Sequence, residues 1–145
     1  MNKESVKAGG CVCGKVRFKT NAAPLRVTIC HCTWCQRRTG SAFGTEVVFR
    51  DGDIEMRGNM QSSYRHHSDE TGRWLISHFC TACGSNLGIE LENAPGIRTL
   101  PAGAFDDASW LSKDIQQFVH VFTRSKQDWC DIPEGVETYE VHFRK

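Results

Sequence analysis

Seven of the eight cysteines in this 145-residue chain fall into three short clusters, and their spacing restricts the folds open to it. Cys11 and Cys13 form a C-x-C pair, Cys80 and Cys83 form a C-x-x-C pair, and a C-x-C-x-x-C run covers residues 30–35. Thiolates at these spacings suit a shared metal ion, of which zinc is the commonest. A fold that uses them must bring the first and last clusters together across the chain.

The clusters divide most simply into two zinc sites of different kinds. The two outer pairs, Cys11 with Cys13 and Cys80 with Cys83, supply four ligands, as in a closed structural site. Residues 30–35 supply only three, as in a catalytic site that keeps one position for water or substrate. The alternative is a closed second site, completed by one of four residues: His31, His78, His120 or Cys130.

The overall composition describes a soluble, near-neutral domain. Lys and Arg number 18 against 17 Asp and Glu, so charge gives no reason to expect nucleic acid or an anionic membrane as partner. The N-terminal MNKESVKAGG has no apolar run, and no segment approaches a membrane span. We expect a single domain over residues 1–145 in the cytoplasm, where reduced cysteines bind metal more often than they form disulfides. The even number of cysteines keeps a disulfide framework as the alternative.

The hydrophobic pattern predicts a mainly β protein. Short alternating or β-branched runs are separated by Gly, Asn and Asp turns, including one at residues 9–10. The predicted strands cover residues 15–19, 27–29, 45–49, 54–57, 74–79, 87–91, 119–122 and 138–143. Helical signals are limited to one turn near 35–41 and a capped segment at 106–111. The polar stretch 61–73 is predicted to be a hairpin tip or mobile loop.

Several polar residues beside the cysteine run are weaker candidates for ligand binding. Arg37 or Arg38 could bind a substrate carboxylate through paired hydrogen bonds, although a solvated pair is the simpler interpretation. Residues 39–41 could present hydroxyl and backbone N–H groups, or form a plain turn. Cys130 is more typical of a small buried apolar residue than of a ligand or nucleophile.

The chain resembles the glutathione-dependent formaldehyde-activating enzymes. The matching stretches are GGCVCGKVRF (9–18), CHCTWCQRRTGSAF (30–43), GRWLISHFCTACGSNLG (72–88), AGAFDD (102–107), HVFTRSKQDWCDIPEG (120–135) and ETYEV (137–141). They extend over nearly the whole chain, and Cys130 departs from the larger residue that many members carry there. The resemblance implies a zinc-bearing β-tent of two antiparallel sheets with few helical turns. It also extends to centromere protein V-like relatives.

The resemblance implies a role for each cysteine cluster. Cys11, Cys13, Cys80 and Cys83 would hold a structural zinc, and Cys30, Cys32 and Cys35 a catalytic zinc. The implied activity is that of an S-hydroxymethylglutathione synthase, a carbon–sulfur lyase that joins formaldehyde to glutathione or another thiol. One alternative is a non-catalytic zinc module that binds a partner protein or a thiol metabolite, since a fold does not fix a function. Another is thiol redox chemistry at Cys130.

Overall fold

A computed structural model describes residues 5–114 and 116–142, and within them the chain is mainly β. One α-helix, α1 (Thr33–Thr39), and short 3₁₀ turns at 51–53, 102–104 and 123–125 accompany eleven strands among these residues. The strands are β1 (Lys7–Gly10), β2 (Arg17–Thr20), β3 (Arg26–Cys30), β4 (Gly44–Arg50), β5 (Glu55–Arg57), β6 (Gln61–His67), β7 (Trp74–Cys80), β8 (Asn86–Leu91), β9 (Ile97–Pro101), β10 (Phe118–Val121) and β11 (Glu137–Thr138).

These strands form three sheets. Two are antiparallel and three-stranded, in the orders β1-β2-β5 and β6-β7-β8. The largest has the order β11-β10-β3-β4-β9, and β10 runs parallel to both β3 and β11. The prediction of a mainly β fold with few helical turns is confirmed. The structure has three sheets where two antiparallel ones were expected, and the largest is mixed because a long excursion of the chain separates β3 from β10.

The main hydrophobic core lies on one face of the five-stranded sheet. Val27 of β3 pairs in register with Val47 of β4, which in turn lies opposite Leu100 of β9, so three apolar side chains form a row across the sheet. Phe18 and Phe105 meet edge to face against this row, with ring centroids 5.0 Å apart. β3 and β4 both contribute side chains to this core, and the cysteine run begins at the end of β3.

The third sheet joins the largest one where β8 crosses β9. Gly88 has a φ of +97°, and a Cβ there would lie 1.8 Å from the carbonyl oxygen of Thr99. The N–H of Ile89 donates to Thr99 Oγ1 at 2.9 Å. Glycine is therefore required for this close approach, which sets the position of the β7–β8 turn and its two cysteines.

Most predicted strands are present, but several local predictions are wrong. In the polar stretch 61–73, residues 68–73 form the predicted hairpin tip, but residues 61–67 form strand β6, which pairs with β7. Strand β6 is polar because it is an edge strand of its sheet, and residues 62–65 are exposed in succession, so both faces are open to water there. Strand β9 was not predicted, and residues 9–10 lie in β1 rather than in a turn.

The predicted helices also need correction. The helix near the cysteines is real but begins at Thr33, two residues earlier than expected. Residues 106–111 form no helix, because Asp107 Oδ1 accepts from the N–H of Ser109 and closes a local turn instead. The last predicted strand is represented by β11, and residue 143 lies outside the described residues. No helix in the described part of the chain is both long and apolar enough to cross a membrane.

Candidate metal centres

The structure brings the two outer cysteine pairs together. The four sulfur atoms of Cys11, Cys13, Cys80 and Cys83 lie within 4.8 Å of one another. The Sγ of Cys13 is 3.5 Å from that of Cys11 and 3.8 Å from that of Cys80. Four sulfurs arranged tetrahedrally at about 2.3 Å from a zinc ion are about 3.8 Å apart, so this group fits zinc.

Two tight turns shape this four-cysteine group. The first reverses after Cys13 at Gly14, which has a φ of +77° and donates its N–H to Cys11 O at 3.1 Å. The second reverses after Cys83 at Gly84, with a φ of +75° and its N–H 2.8 Å from Cys80 O. Both glycines adopt a left-handed conformation that other residues reach only with strain.

Hydrogen bonds support thiolate character at two members of the four-cysteine group, Cys11 and Cys83. The N–H of Val16 donates to Cys11 Sγ at 3.3 Å. Hydrogen bonds from the hydroxyl and N–H of Ser85, and from the backbone at Cys13, lower the pKa of Cys83 to about 5. Metal ligands must be deprotonated, so these donors favour the form of the group that binds a cation.

The remaining three clustered cysteines meet where β3 passes into α1. Cys30 ends the strand, Cys32 caps the helix, and Cys35 lies in its first turn. Their sulfurs lie within 4.8 Å of one another, and Cys32 Sγ accepts from the N–H of Cys35 at 3.2 Å. A thiol at an N-cap faces the free N–H groups of the first helical turn, which stabilise negative charge there.

The three thiols share negative charge unequally. Hydrogen bonds from Cys30 and Cys35, and then from the backbone at Cys35 and Trp34, lower the pKa of Cys32 to about 3. Donation to its two neighbours, together with burial, raises the pKa of Cys30 well above its ordinary value. Three sulfurs this close cannot all ionise without a cation between them, so the donor set suits a metal such as zinc.

No histidine or further cysteine of the described chain completes the three-cysteine group. His31 is fully buried and points elsewhere, with Nε2 2.9 Å from His120 Nδ1. His78 Nε2 lies 2.6 Å from Glu90 Oε2. Cys130 is buried outside both groups. Within residues 5–114 and 116–142, these geometries favour an open three-ligand site over the closed alternative.

A buried ion pair lies directly behind the three-cysteine group. The guanidinium of Arg38 contacts Glu46 Oε1 and donates to Cys35 Sγ at 3.8 Å and to Asn86 Oδ1 at 3.0 Å. Glu46 also accepts from the hydroxyl of Thr99. The Arg38 and Glu46 side chains are only 6% and 3% exposed. Burial opposes the charge on Arg38, but Glu46 and Cys35 raise its pKa, so it stays a cation.

Sequence reasoning missed Glu46 as a neighbour of the site. The signal was present, because the strand GTEVVF places one acidic residue among buried apolar ones. A buried carboxylate requires a partner, and Arg38, eight positions earlier, is a cation close in sequence. Trp34 and His66 were also missed; their rings stack 5.8 Å apart, which joins β6 to α1.

On another side of α1 lies an open cleft of about 530 Å³. The helix lines it with Thr33, Gln36, Arg37 and the residues that follow its end, including Ser41. The turn at residues 126–130 forms the facing wall through Gln127 and Trp129. The two arginines that were candidates for ligand binding therefore have different environments. Arg37 lines this cleft, whereas the side chain of Arg38 is buried.

The fold and its cysteine geometry define a small β protein with two cysteine groups able to hold metal ions. The family model of the glutathione-dependent formaldehyde-activating enzymes matches residues 6–125, and the chain belongs to this family. No curated protein matches the chain. A crystal structure of a Rhodobacter sphaeroides protein is similar at a TM-score of 0.57 and 20% identity, and covers 79% of this chain and 99% of its own. That similarity concerns the fold alone.

Proposed function

We propose that this protein joins formaldehyde, or a related aldehyde, to a thiol such as glutathione, as a zinc-dependent carbon–sulfur lyase. The observation that carries the proposal is the three-cysteine group at the start of α1, which has no fourth ligand among the described histidines and cysteines. The family description names both glutathione and formaldehyde. A thiol and an aldehyde are the partners that an open thiolate-bound metal accommodates.

The reaction needs no oxidant or reductant. A carbon–sulfur bond forms between the thiol sulfur and the aldehyde carbon, the carbonyl π electrons move to oxygen, and the thiol proton ends on that oxygen. A zinc ion bound by Cys30, Cys32 and Cys35 would supply a Lewis acid for the aldehyde oxygen or a binding position for the thiolate. The protein holds the two reactants together, which removes much of the entropic cost of their encounter.

The four-cysteine group takes a separate structural role in this proposal. Cys11 and Cys13 lie between β1 and β2, whereas Cys80 ends β7 and Cys83 lies in the turn that leads to β8. A zinc ion shared by them would link two sheets whose cysteines are 67 residues apart. Because such a site does not exist in the unfolded chain, the free energy of metal binding there adds to folding stability.

Exchange spectroscopy by NMR tests the proposed reaction. The zinc-loaded protein is expected to accelerate exchange between free and glutathione-bound formaldehyde, and Cys32→Ser is expected to abolish the acceleration. Cys130→Ala serves as the matched control, since that cysteine belongs to neither group. Metal analysis should give two zinc ions in the wild type and the control. If the two-zinc protein does not accelerate exchange with glutathione or other thiols, the non-catalytic zinc module becomes the better explanation.

A further inference from the structure

The residue between the first two cysteines of the 30–35 run is buried, unlike its counterpart in the other C-x-C pair. His31 lies between Cys30 and Cys32 and is 0% exposed, whereas Val12, at the middle of the N-terminal pair, is 94% exposed. An imidazole carries two polar nitrogens, so its complete burial costs free energy unless hydrogen bonds compensate for it. His31 is therefore held by contacts that the exposed valine side chain does not need.

Hydrogen bonds fix the backbone of His31 on both sides of the residue. Its N–H donates to the carbonyl of Val121 at 3.0 Å, at the end of the pairing between β3 and β10. Its carbonyl oxygen accepts from Gln36 Nε2 and from Ser125 Oγ, each at 2.9 Å. The chain passes from β3 into α1 at this residue. These bonds therefore set the point from which the flanking cysteines extend in two directions, one into the strand and one into the helix.

The side chain of His31 is bound to a second buried histidine. Its Nε2 lies 2.9 Å from Nδ1 of His120, which is 7% exposed. The ring centroids are 5.2 Å apart, farther than the two nitrogens by about two ring radii, and the planes differ by 23°. The rings therefore meet edge to edge, with the hydrogen bond close to both ring planes and along the nitrogen lone pair. Burial disfavours charge on either ring, so one nitrogen donates and the other accepts. Among residues 5–114 and 116–142, this is the one hydrogen bond of the His31 ring.

We propose that His31 is a positioning residue for the three-cysteine group and that His120 holds it in place. Cys30 and Cys32 extend from His31 in opposite directions, so a displacement of this residue moves both sulfurs relative to that of Cys35. Three sulfurs bind one ion well only when they point to a common centre at nearly equal distances. The contact between the two histidines therefore acts on metal binding through the neighbouring cysteines, and His31 is not itself a ligand. This inference rests on the proposed function for the identity of the site, and goes beyond it in naming what aligns the three ligands.

Two pairs of amide substitutions test this proposal. A glutamine places its amide near the Nε2 position of a histidine, and an asparagine places its amide near the Nδ1 position. His31→Gln therefore keeps a hydrogen-bonding group within reach of His120, whereas His31→Asn does not. At position 120 the order reverses, because there Nδ1 makes the contact: His120→Asn keeps it and His120→Gln loses it. Each pair exchanges an imidazole for an amide, so polarity is matched within the pair. Val12→Asn, at the exposed counterpart of His31, is the control and should affect neither cysteine group.

Competition with a chelator measures the zinc affinity of each cysteine group in the same protein. The Cys32→Ser variant, which keeps only the four-cysteine group intact, identifies the release step that belongs to that group. His31→Asn and His120→Gln should bind zinc at the three-cysteine group at least about 10-fold more weakly than the wild type, and His31→Gln and His120→Asn within about threefold of it. The affinity of the four-cysteine group should stay the same in all variants. The absorption spectrum of the cobalt(II)-loaded protein should change in the same two variants, because it reports the arrangement of the sulfur ligands.

The outcomes separate this inference from the proposed reaction. Equal zinc affinities for the glutamine and asparagine variants at both positions would overturn the positioning role, and so would an equal loss at both cysteine groups, which indicates general destabilisation. If the variants at position 31 do not fold, the pair at position 120 decides in the same way. The expected difference between the variants, in a protein that does not accelerate formaldehyde exchange, would sustain the positioning role and refute the reaction. Accelerated exchange with no difference between the variants would do the opposite.

Discussion

Replacement of Arg38 by methionine removes the cation of the buried pair behind the three-cysteine group. Glu46, 3% exposed, would be left with the Thr99 hydroxyl as its remaining described partner, and Asn86 would lose a donor. Removal of one member of a buried ion pair typically costs about 3–5 kcal/mol, because the other charge is left without compensation. At about 3 °C for each kcal/mol, the melting temperature should fall by about 10 °C or more.

A double-mutant cycle separates the charge from the shape of the side chains. Glu46→Gln keeps an amide oxygen for Arg38 but removes the charge, so it should cost about 1–3 kcal/mol. Arg38→Met combined with Glu46→Gln leaves no buried charge from the pair. The double variant should therefore be more stable than the sum of the single effects predicts, by about 1–3 kcal/mol.

The free energy of unfolding of each variant is measured by urea denaturation with excess zinc. The zinc content of each variant is measured as well, so that a loss of metal is not mistaken for an effect of the buried pair. Arg37→Met is the matched control. It removes the same side chain at the next position of α1, where the arginine is exposed, and should change the free energy of unfolding by less than about 0.5 kcal/mol. Equal effects of Arg37→Met and Arg38→Met, or additive effects in the cycle, would refute the argument that the buried pair is coupled.

Three other measurements examine the fold around the site. Removal of metal by a chelator under reducing conditions should unfold the chain, seen as loss of its β-type circular dichroism, and added zinc should restore the signal. A fold that persists without metal would contradict the structural role of the four-cysteine group. Gly88→Ala should destabilise the protein by about 3 kcal/mol or more, because its Cβ would meet the Thr99 carbonyl. Gly96→Ala is the control: its φ is also positive but no atom lies near the added Cβ, so it should cost only about 1 kcal/mol. The guanidinium of Arg17 lowers the pKa of Asp106, so carboxyl NMR should show a higher Asp106 pKa in Arg17→Gln. The pair stabilises the fold fully above the pKa of Asp106 in the unfolded chain, and this stabilisation is lost as the pH falls through the lower pKa of the folded state.

The cysteine geometry could be predicted from sequence because it depends on local spacing. Cysteines two or three residues apart hold their sulfurs near one another whether the segment is a turn, as at Cys11 and Cys13, or a strand end leading into a helix, as at Cys30 and Cys32. Strand β6 could not be recognised in this way. Its residues are mostly exposed, and its pairing with β7 supplies backbone hydrogen bonds that leave no hydrophobic pattern. Strand β9 was missed for the opposite reason, because Arg98 and Thr99 are buried within it beside apolar neighbours.

The different environments of Arg37 and Arg38 follow from the periodicity of α1. Successive residues of a helix are rotated by about 100°, so residues three apart share a face and adjacent residues do not. Once α1 is known to begin at Thr33 with Cys32 as its cap, Cys35 and Arg38 must lie on the same, buried face. Arg37 then turns toward the cleft. A helix from residue 35 onward would place the two arginines in the same way, but which of its faces is buried follows only from the contacts of Cys35 and Arg38 in the fold. The start of the helix is set by the thiol of Cys32, which accepts from the N–H of Cys35, so one hydrogen bond joins two members of the three-cysteine group to the helix boundary.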